Sequence, residues 1–230
     1  MWGVNLDDEK LDRLLRYARL LASYEKANVI GTRDLDGILL EHVLDSLSCF
    51  LHRTLWKVER IADVGSGGGL PGIPISIVRP ELRTTLIEST GKKAGFLRHA
   101  AEHLALRRLD IVNARVEDVG RMQDQRGSYG MVTTRAVARL SVVAEYCVPL
   151  LEIGGLAIAM KAGLDDEEYE EGGRATGELG ARIAGVEPVA MLPGVGEKER
   201  NLVVLEKVRE TPARYPRKVG MVAKRPLGIR

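Results

Sequence analysis

Residues 63 to 74 read DVGSGGGLPGIP, and their composition indicates a ligand-binding turn more directly than any other stretch of the chain. An acid and a valine precede four glycines in five positions, and two prolines follow three residues apart. Glycine tolerates positive φ and lets a ligand approach the backbone, while proline suits the first turn of a helix. The stretch therefore favours a nucleotide-binding loop, with a plain tight turn as the alternative.

Two classes of nucleotide fit this loop poorly. A phosphate-cradling P-loop ends in Gly-Lys-Ser/Thr, and no such tripeptide follows, which excludes the NTPase class. Gly67, Gly69 and Gly72 satisfy the dinucleotide pattern G-x-G-x-x-G, but this match starts two residues too late after the strand. A match that starts at Gly65 instead has Leu70 in the place of the last glycine. A short-chain dehydrogenase would also need a lysine four residues after a tyrosine, and none of the six tyrosines has one. NAD is therefore the poorer fit.

The stretch Asp63-Val-Gly65-x-Gly67-x-Gly69 resembles the first motif of class I S-adenosylmethionine methyltransferases. That resemblance implies that the loop meets the methionine part of the cofactor. A carboxylate at the end of the second strand would accept hydrogen bonds from the ribose hydroxyls, and Glu88 has that place. Dehydrogenases use a carboxylate in the same way, so Glu88 indicates a cofactor with an adenosine ribose but does not distinguish NAD from S-adenosylmethionine.

The elements around the loop predict an α/β fold, Rossmann-like, with a mostly parallel seven-stranded sheet and helices on both faces. From residue 60, short β-rich runs alternate with helical patterns, which is typical of this class. The predicted strands are 61–64, 84–88, 109–114, 129–134, 155–161, 186–192 and 201–207, and the predicted helices are 70–78, 92–105, 136–148 and 165–184. The last two strands flank PGVGEKER, which predicts a hairpin with an antiparallel strand on the sheet edge.

An N-terminal helical extension is predicted before the sheet. The first helix covers 5–26 with the apolar positions Leu11, Leu14, Leu15, Ala18 and Leu21, and the second is capped by Asp34 and continues with Leu39, Leu40, Val43, Leu44 and Leu47. We expect an extension at 1–55 packed on a methyltransferase domain at 56–208, followed by a basic tail at 209–230.

Composition narrows the class of protein further. Hydrophobic residues make up 45% of the 230 residues and charged residues 29%, as in ordinary globular proteins. No apolar run approaches the ~20 residues of a membrane span, and the beginning MWGVNLDDEK lacks a signal-peptide core. Cys49 and Cys147 have no metal or redox spacing, which favours a reducing cytoplasm. We expect a monomer.

The net charge of +2 conceals a basic C-terminus. Residues 207–230 carry +7 and the preceding residues −5. Such a tail favours a polyanionic partner, since Lys and Arg release counterions from phosphate backbones, with a solubilising tail as the alternative. Pro212, Pro216 and Pro226 exclude a continuous helix there, so the tail is expected to lie extended on the body or to be partly disordered.

Five segments in the same order resemble one family over roughly 200 residues. GSGGGLPGIPISIVRP is similar to the signature of the RsmG (GidB) family of small-subunit ribosomal RNA guanine-N7 methyltransferases. The other four are NVIGTRDLDGILLEHVLDSL, GKKAGFLRHAAEHLAL, Arg115-Val116-Glu117 and Thr134-Arg135-Ala136. The tail YPRKVGMVAKRPL resembles the ending of longer members. The resemblance implies S-adenosylmethionine as cofactor and N7 of a guanine in 16S ribosomal RNA as methyl acceptor.

Carried over by position, the resemblance implies a cofactor site. Its residues are Gly65, Gly67, Gly69, Leu70, Glu88, Ser89, Thr90, Val116, Glu117 and Arg135. Glu88, Ser89 and Thr90 would lie at the ribose and adenine side. Val116 and Glu117 would flank the adenine, where a carboxylate can accept a hydrogen bond from the exocyclic amine.

Three polar residues before the sheet are candidates for the catalytic pocket. His42, Asp45 and Ser46 have the spacing of one helical face. One hypothesis is that they position the cofactor or the guanine together with Arg135. The alternative is that the helix only packs on the domain. Glu41 stands where the family usually has a basic residue, which weakens a role of this face in RNA binding. No catalytic residue is assigned, because guanine N7 has a lone pair and no proton to remove.

His99-Ala-Ala-Glu102-His103 matches the zinc pattern H-x-x-E-H. The pattern lies on the helix after the second strand, away from the carboxyl-end crevice, so a surface face is expected and no metal.

The implied partner is small-subunit ribosomal RNA or a ribosomal particle. Candidate phosphate contacts are Arg214, Arg217, Lys218, Lys224 and Arg225. An aromatic content of 4% disfavours a base-stacking module. A methyltransferase fold acting on another nucleic acid or a small molecule, and a non-catalytic RNA-binding protein, are the alternatives.

Overall fold

A computed structural model describes residues 2–190 and 199–229. A seven-stranded sheet has the order β3-β2-β1-β4-β5-β7-β6, in which only β7 runs antiparallel to its neighbours. The strands are β1 (Arg60–Val64), β2 (Arg83–Ile87), β3 (Leu109–Val112), β4 (Tyr129–Arg135), β5 (Leu151–Lys161), β6 (Ala181–Pro188) and β7 (Asn201–Lys207). The predicted fold class is confirmed.

Helices cover both faces of the sheet. They are α1 (Asp8–Ser23), α2 (Leu35–Gly37), α3 (Asp45–Leu47), α4 (Gly72–Val78), α5 (Gly91–His103), α6 (Val116–Val119), α7 (Leu140–Cys147), α8 (Asp166–Leu179) and α9 (Met221–Lys224). Successive β1 residues Ile61 and Ala62 belong to two different buried clusters, as the alternation of a strand requires. The first cluster includes α1, α4 and α5, and the second includes α7 and α8.

The last two strands differ from the prediction in two ways. The predicted helix 165–184 ends at Leu179, because Gly180 takes a left-handed φ of +89° that stops the helix, and β6 begins at once. The antiparallel β7 lies between β5 and β6 and is not the edge strand. Its apolar run NLVVLEK is buried almost throughout, while β6 alternates between buried and exposed, so β7 is inside the sheet and β6 at its edge. Positions 191 and 192 of the predicted strand, and positions 193–198 of PGVGEKER, lie outside the described residues.

The N-terminal extension is attached to the glycine loop. Asp7 caps α1 by accepting a hydrogen bond from the amide of Lys10 at 2.9 Å. The hydroxyl of the fully buried Tyr17 donates to the carbonyl of Gly68 at 2.6 Å. The first helix of the chain therefore supports the loop from outside the sheet.

The second predicted helix begins as expected, since Asp34 accepts a hydrogen bond from the Gly37 amide at 2.8 Å. Its continuation, Ile38–Leu44, is π-helical. A π turn has i→i+5 bonds, so side chains leave the face that an α-helix predicts, and Leu40 is 40% exposed.

The end of the chain packs against the body. Residues 208–229, which we name the C-terminal strap, bury Tyr215, Val222 and Leu227. Arg126 donates hydrogen bonds to the carbonyls of Thr211 and Tyr215 at 2.8 and 2.6 Å. The strap is irregular except for α9, as its prolines require, and Arg230 lies outside the described residues. The predicted boundaries after residues 55 and 208 stay predictions.

Candidate active site

The glycine loop follows β1 and is held by the buried Asp63. One carboxylate oxygen accepts from the Gly72 amide at 3.2 Å and the other from the Thr133 hydroxyl at 3.1 Å. Burial raises the pKa of Asp63 to about 7. Gly65 has φ +68°, and a Cβ there would lie 2.8 Å from a methyl of Val137. Only glycine fits this position, where the loop passes closest to the end of β4.

Glu88 connects the loop to α5. It is 6% exposed, and its carboxylate accepts hydrogen bonds from the amides of Gly67 at 2.9 Å and Thr90 at 2.7 Å. Its carbonyl accepts from the Asn113 side chain at 2.7 Å. Each carboxylate oxygen has two lone-pair sites, so both oxygens can still accept a hydroxyl proton.

A cavity of about 270 Å³ opens beside these residues. Four predicted cofactor residues line it, namely Gly65, Ser89, Val116 and Glu117. The carboxylate of Glu117 accepts from the Gly220 amide at 3.2 Å, and the strap contributes Ala223 to the lining.

The other predicted cofactor residues do not line this cavity, and Arg135 lines a second one described below. Glu88 and Thr90 belong to the hydrogen-bonded support, and Gly67 and Gly69 to the turn. Leu70 is buried in the hydrophobic core.

A larger cavity of about 440 Å³ lies at the carboxyl ends of β4 and β5. His42, Asp45 and Arg135 line it, and it shares the wall residues Val137 and Ala138 with the smaller cavity. In open α/β sheets, ligands bind in the crevice outside the carboxyl ends of the strands. The two cavities are therefore adjacent, and they lie where open α/β sheets place their ligand sites.

Arg135 is the centre of a polar cluster in the larger cavity. Its guanidinium donates to the carboxylate of the buried Asp45 at 3.0 Å and to the carbonyl of His42 at 3.3 Å. It also lies 3.2 Å from Nδ1 of His42. Burial first, and then the charge of Arg135, lower the pKa of His42. The imidazole is therefore neutral at pH 7, with Nδ1 accepting and the proton on Nε2.

Ser46 does not share the cavity with His42 and Asp45. It is fully buried, and its hydroxyl donates to the carbonyl of His42 at 2.7 Å. This bond back to the preceding turn is common for serine inside a helix, and the π-helical segment changes the predicted spacing.

Ser48 and Arg200 are among the cavity residues that were not found from the sequence. Among the described residues, the buried Ser48 hydroxyl and the buried Nε of Arg200 have no hydrogen-bond partner. Arg200 Nε lies 3.4 Å from the carboxylate of Asp45. The pairing of Asn201 with Lys161 brings the start of β7 to the carboxyl end of β5. A correct placement of β7 in the sheet would thus have pointed to Arg200.

The strap residues predicted to contact RNA have different environments. Arg217 forms a bidentate ion pair with Glu145, whose side chain is fully buried. The guanidinium of Arg217 is therefore engaged in an internal contact. Arg214 is exposed but lies 3.3 Å from Glu178. The remaining three, Lys218, Lys224 and Arg225, are exposed.

The histidine pattern on α5 brings the half-buried His99 beside the exposed His103. The ring centroids of His99 and His103 are 3.9 Å apart, and the described residues include no group of three or more side chains suited to hold a metal. The expected absence of zinc stays a prediction. Among the helices described, none is long and apolar enough to cross a membrane.

Comparison with known proteins identifies the family. The model of a family described as rRNA small subunit methyltransferase G matches residues 10–203. A ribosomal RNA small subunit methyltransferase G from Rubrobacter xylanophilus is 59% identical over 227 residues, covering 98% of this chain and 87% of its own length. The protein of the same name from a Roseiflexus species is 44% identical over 229 residues, with coverages of 98% and 95%.

Solved structures show the same fold at low identity. The S-adenosylmethionine-dependent methyltransferase SibL has a TM-score of 0.58 at 15% identity, over 86% of this chain and 70% of that one. An O-methyltransferase from neocarzinostatin biosynthesis, in complex with S-adenosylmethionine, has a TM-score of 0.52 at 14% identity, over 72% and 57%. The family match over residues 10–203 and the 59% identity to a relative show that the chain belongs to the GidB family of rRNA small subunit methyltransferase G proteins.

Proposed function

We propose that the protein transfers a methyl group from S-adenosylmethionine to N7 of a guanine in 16S ribosomal RNA. The observation that carries this proposal is the pair of cavities joined at Val137 and Ala138. One is bordered by the motif expected for an adenosine-bearing cofactor, and the other by an arginine-centred polar cluster. The names of the relatives support ribosomal RNA as the acceptor.

The residues present fit the cofactor. Gly65 brings the bare backbone of the loop to the wall of the smaller cavity, which extends from it to Val116 and Glu117. Glu88, with two free acceptor sites, would hold the ribose hydroxyls. When bound, S-adenosylmethionine supplies an electrophilic methyl group with a good leaving group.

The chain's contribution to transfer is alignment. Guanine N7 already has a lone pair, so no residue has to remove a proton, and the gain comes from holding the reactants in position. Asp45 fixes Arg135 and lies close to Arg200, so the guanidinium groups are preorganised at the cavity. Arg200 Nε, 3.4 Å from the Asp45 carboxylate, and the Ser48 hydroxyl form no hydrogen bond among the described residues, and both residues line the cavity that the base would enter.

The RNA partner would also contact the strap. Lys218, Lys224 and Arg225 are exposed on the same segment that contributes Ala223 to the smaller cavity. Exposed lysine and arginine bind phosphates with release of counterions. We place the enzyme in the cytoplasm with the ribosomal particles on which it acts.

Transfer of tritium from labelled S-adenosylmethionine tests the acceptor class. Small ribosomal subunits from a strain lacking this gene would be compared with purified transfer RNA and with a nucleic-acid-free extract of metabolites. We expect label in the ribosomal RNA alone. Label in transfer RNA or in small molecules would favour the alternatives and reject the proposal, and Arg135→Met serves as the control for activity from contaminants.

A further inference from the structure

The strap is fastened to the methyltransferase domain by a buried ion pair. Glu145, on α7, is fully buried and accepts hydrogen bonds from the amide of Arg217 at 2.7 Å and from its guanidinium at 2.6 and 2.9 Å. Breaking such a pair leaves a buried charge without compensation. Arg121 adds a hydrogen bond to the carbonyl of Pro216 at 2.6 Å. The course of the strap is therefore fixed up to the residue that precedes Lys218.

Beyond this anchor, the strap reaches the smaller cavity. The Gly220 amide donates to the carboxylate of Glu117 at 3.2 Å. Val222, in α9, is fully buried and turns inward. Its neighbour Ala223 lines the cavity together with Tyr146, which follows Glu145 in α7. One segment thus provides a wall for the cavity and a partner for one of its carboxylates.

We propose that the C-terminal strap forms the outer wall of the adenine end of the cofactor site. Ala223 is then a cofactor-contacting position, and Arg217 and Glu145 are positioning residues that hold the wall in place. This inference rests on the proposed function, which places the adenine beside Val116 and Glu117. A small side chain at position 223 leaves room for the purine, and a large one would occupy that room.

The basic tail was expected either to bind a polyanionic partner or to act as a solubilising tail, and the wall gives this segment a further role. The hydrogen bond from Gly220 orients Glu117 from outside the cavity, so the expected adenine contact of that carboxylate depends on the strap. The exposed Lys218 and Lys224 lie within six residues of Ala223, so the RNA-facing and cofactor-facing surfaces belong to one short segment.

Two matched substitutions test the wall. Ala223 and Ala213 are both exposed alanines of the strap, but only Ala223 lines the cavity. Binding of S-adenosylhomocysteine to wild type, Ala223→Phe and Ala213→Phe would be measured by calorimetry. We expect A223F to weaken binding by about tenfold or more, a change of ~1.4 kcal/mol, and A213F to bind within about twofold of wild type. A223S and A223L should give intermediate losses ordered by size.

Steady-state kinetics separate this role from a general structural one. A223F should raise KM for S-adenosylmethionine and leave KM for the RNA acceptor and the melting temperature of the ligand-free protein unchanged. Wild-type affinity of A223F for S-adenosylhomocysteine, or an equal loss of affinity in A213F, would contradict the proposal that the strap forms a wall of the cofactor site. If the wild-type protein itself failed to bind S-adenosylhomocysteine, both the proposed function and the proposed role of the strap would be rejected.

Discussion

Replacement of Glu88 by glutamine removes one acceptor from the place where the loop, α5 and the cofactor ribose meet. The carboxylate accepts from the backbone amides of Gly67 and Thr90 through different oxygens, and both hydrogen bonds are partly buried. A glutamine presents an oxygen to one amide and its own NH₂ group to the other. One of the two backbone N–H groups then faces a donor, whatever the orientation of the side-chain amide.

The magnitude follows from this mismatch. A buried donor without its partner destabilises by about 1–3 kcal/mol, and a hydrogen bond to a charged acceptor contributes about 1.5–3 kcal/mol. Because both hydrogen bonds are only partly buried, water can replace the lost partner, and we expect Glu88→Gln to lose about 1 kcal/mol of unfolding free energy, the low end of this range. Loss of one ribose hydrogen bond to a charged acceptor should weaken cofactor binding by roughly 10- to 150-fold.

Urea unfolding and calorimetric titration with S-adenosylhomocysteine measure the two effects separately. Glu59→Gln is the matched control, because Glu59 is exposed and precedes β1 outside the site. A 2′-deoxy analogue of S-adenosylhomocysteine should bind wild type weakly and lose little further affinity in E88Q. Unchanged affinity of E88Q for S-adenosylhomocysteine would refute the reasoning, even if the variant were less stable.

Three further substitutions have defined outcomes. The pKa of Asp63, raised to about 7 from 3.8, means that its contribution to stability is full below pH 3.8 and is lost as the pH rises through 7. The difference in unfolding free energy between wild type and Asp63→Asn should therefore fall by up to ~4 kcal/mol from pH 4 to 7; a constant difference would contradict it. Arg135→Met should lower the unfolding free energy by less than the about 3–5 kcal/mol of a fully uncompensated buried charge, because Arg200 stays 3.4 Å from the Asp45 carboxylate. Part of the loss should be recovered by adding D45N, and no recovery would exclude the pair as the cause. Lys218→Ala with Lys224→Ala should reduce the slope of log affinity for RNA against log salt by roughly 1.4, whereas an unchanged slope would remove the strap from the RNA interface.

The main part of the fold could be predicted from local patterns. Alternating β-rich and helical runs predict the parallel sheet, because each run contains its own periodicity. The antiparallel pairing of the last two strands was predicted and is observed, but the strand that runs against the others, β7, lies inside the sheet and not at its edge. Burial on both faces of NLVVLEK was the available signal. The end of α8 was missed because Gly180 lies in a stretch with several other glycines.

The site could be predicted where one short motif supplies it. The loop and Glu88 follow each other by a fixed spacing, and the structure joins them through the Gly67 amide. Arg200 and Ala223 could not be found in this way, because long-range contacts bring them to the cavities. The sequence also could not reveal that Arg217 pairs with Glu145, 72 positions away, so charge alone assigned it to RNA.

The central claim is methyl transfer to guanine N7, and the position of the methyl group tests it most directly. Small ribosomal subunits from a strain lacking this gene would be incubated with the protein and S-adenosylmethionine bearing a trideuterated methyl group. Their RNA would then be digested and its nucleosides measured by mass spectrometry. We predict deuterium in 7-methylguanosine alone, from one position of the 16S RNA, and no incorporation without the protein. Deuterium in any other nucleoside, or in none, would contradict the account.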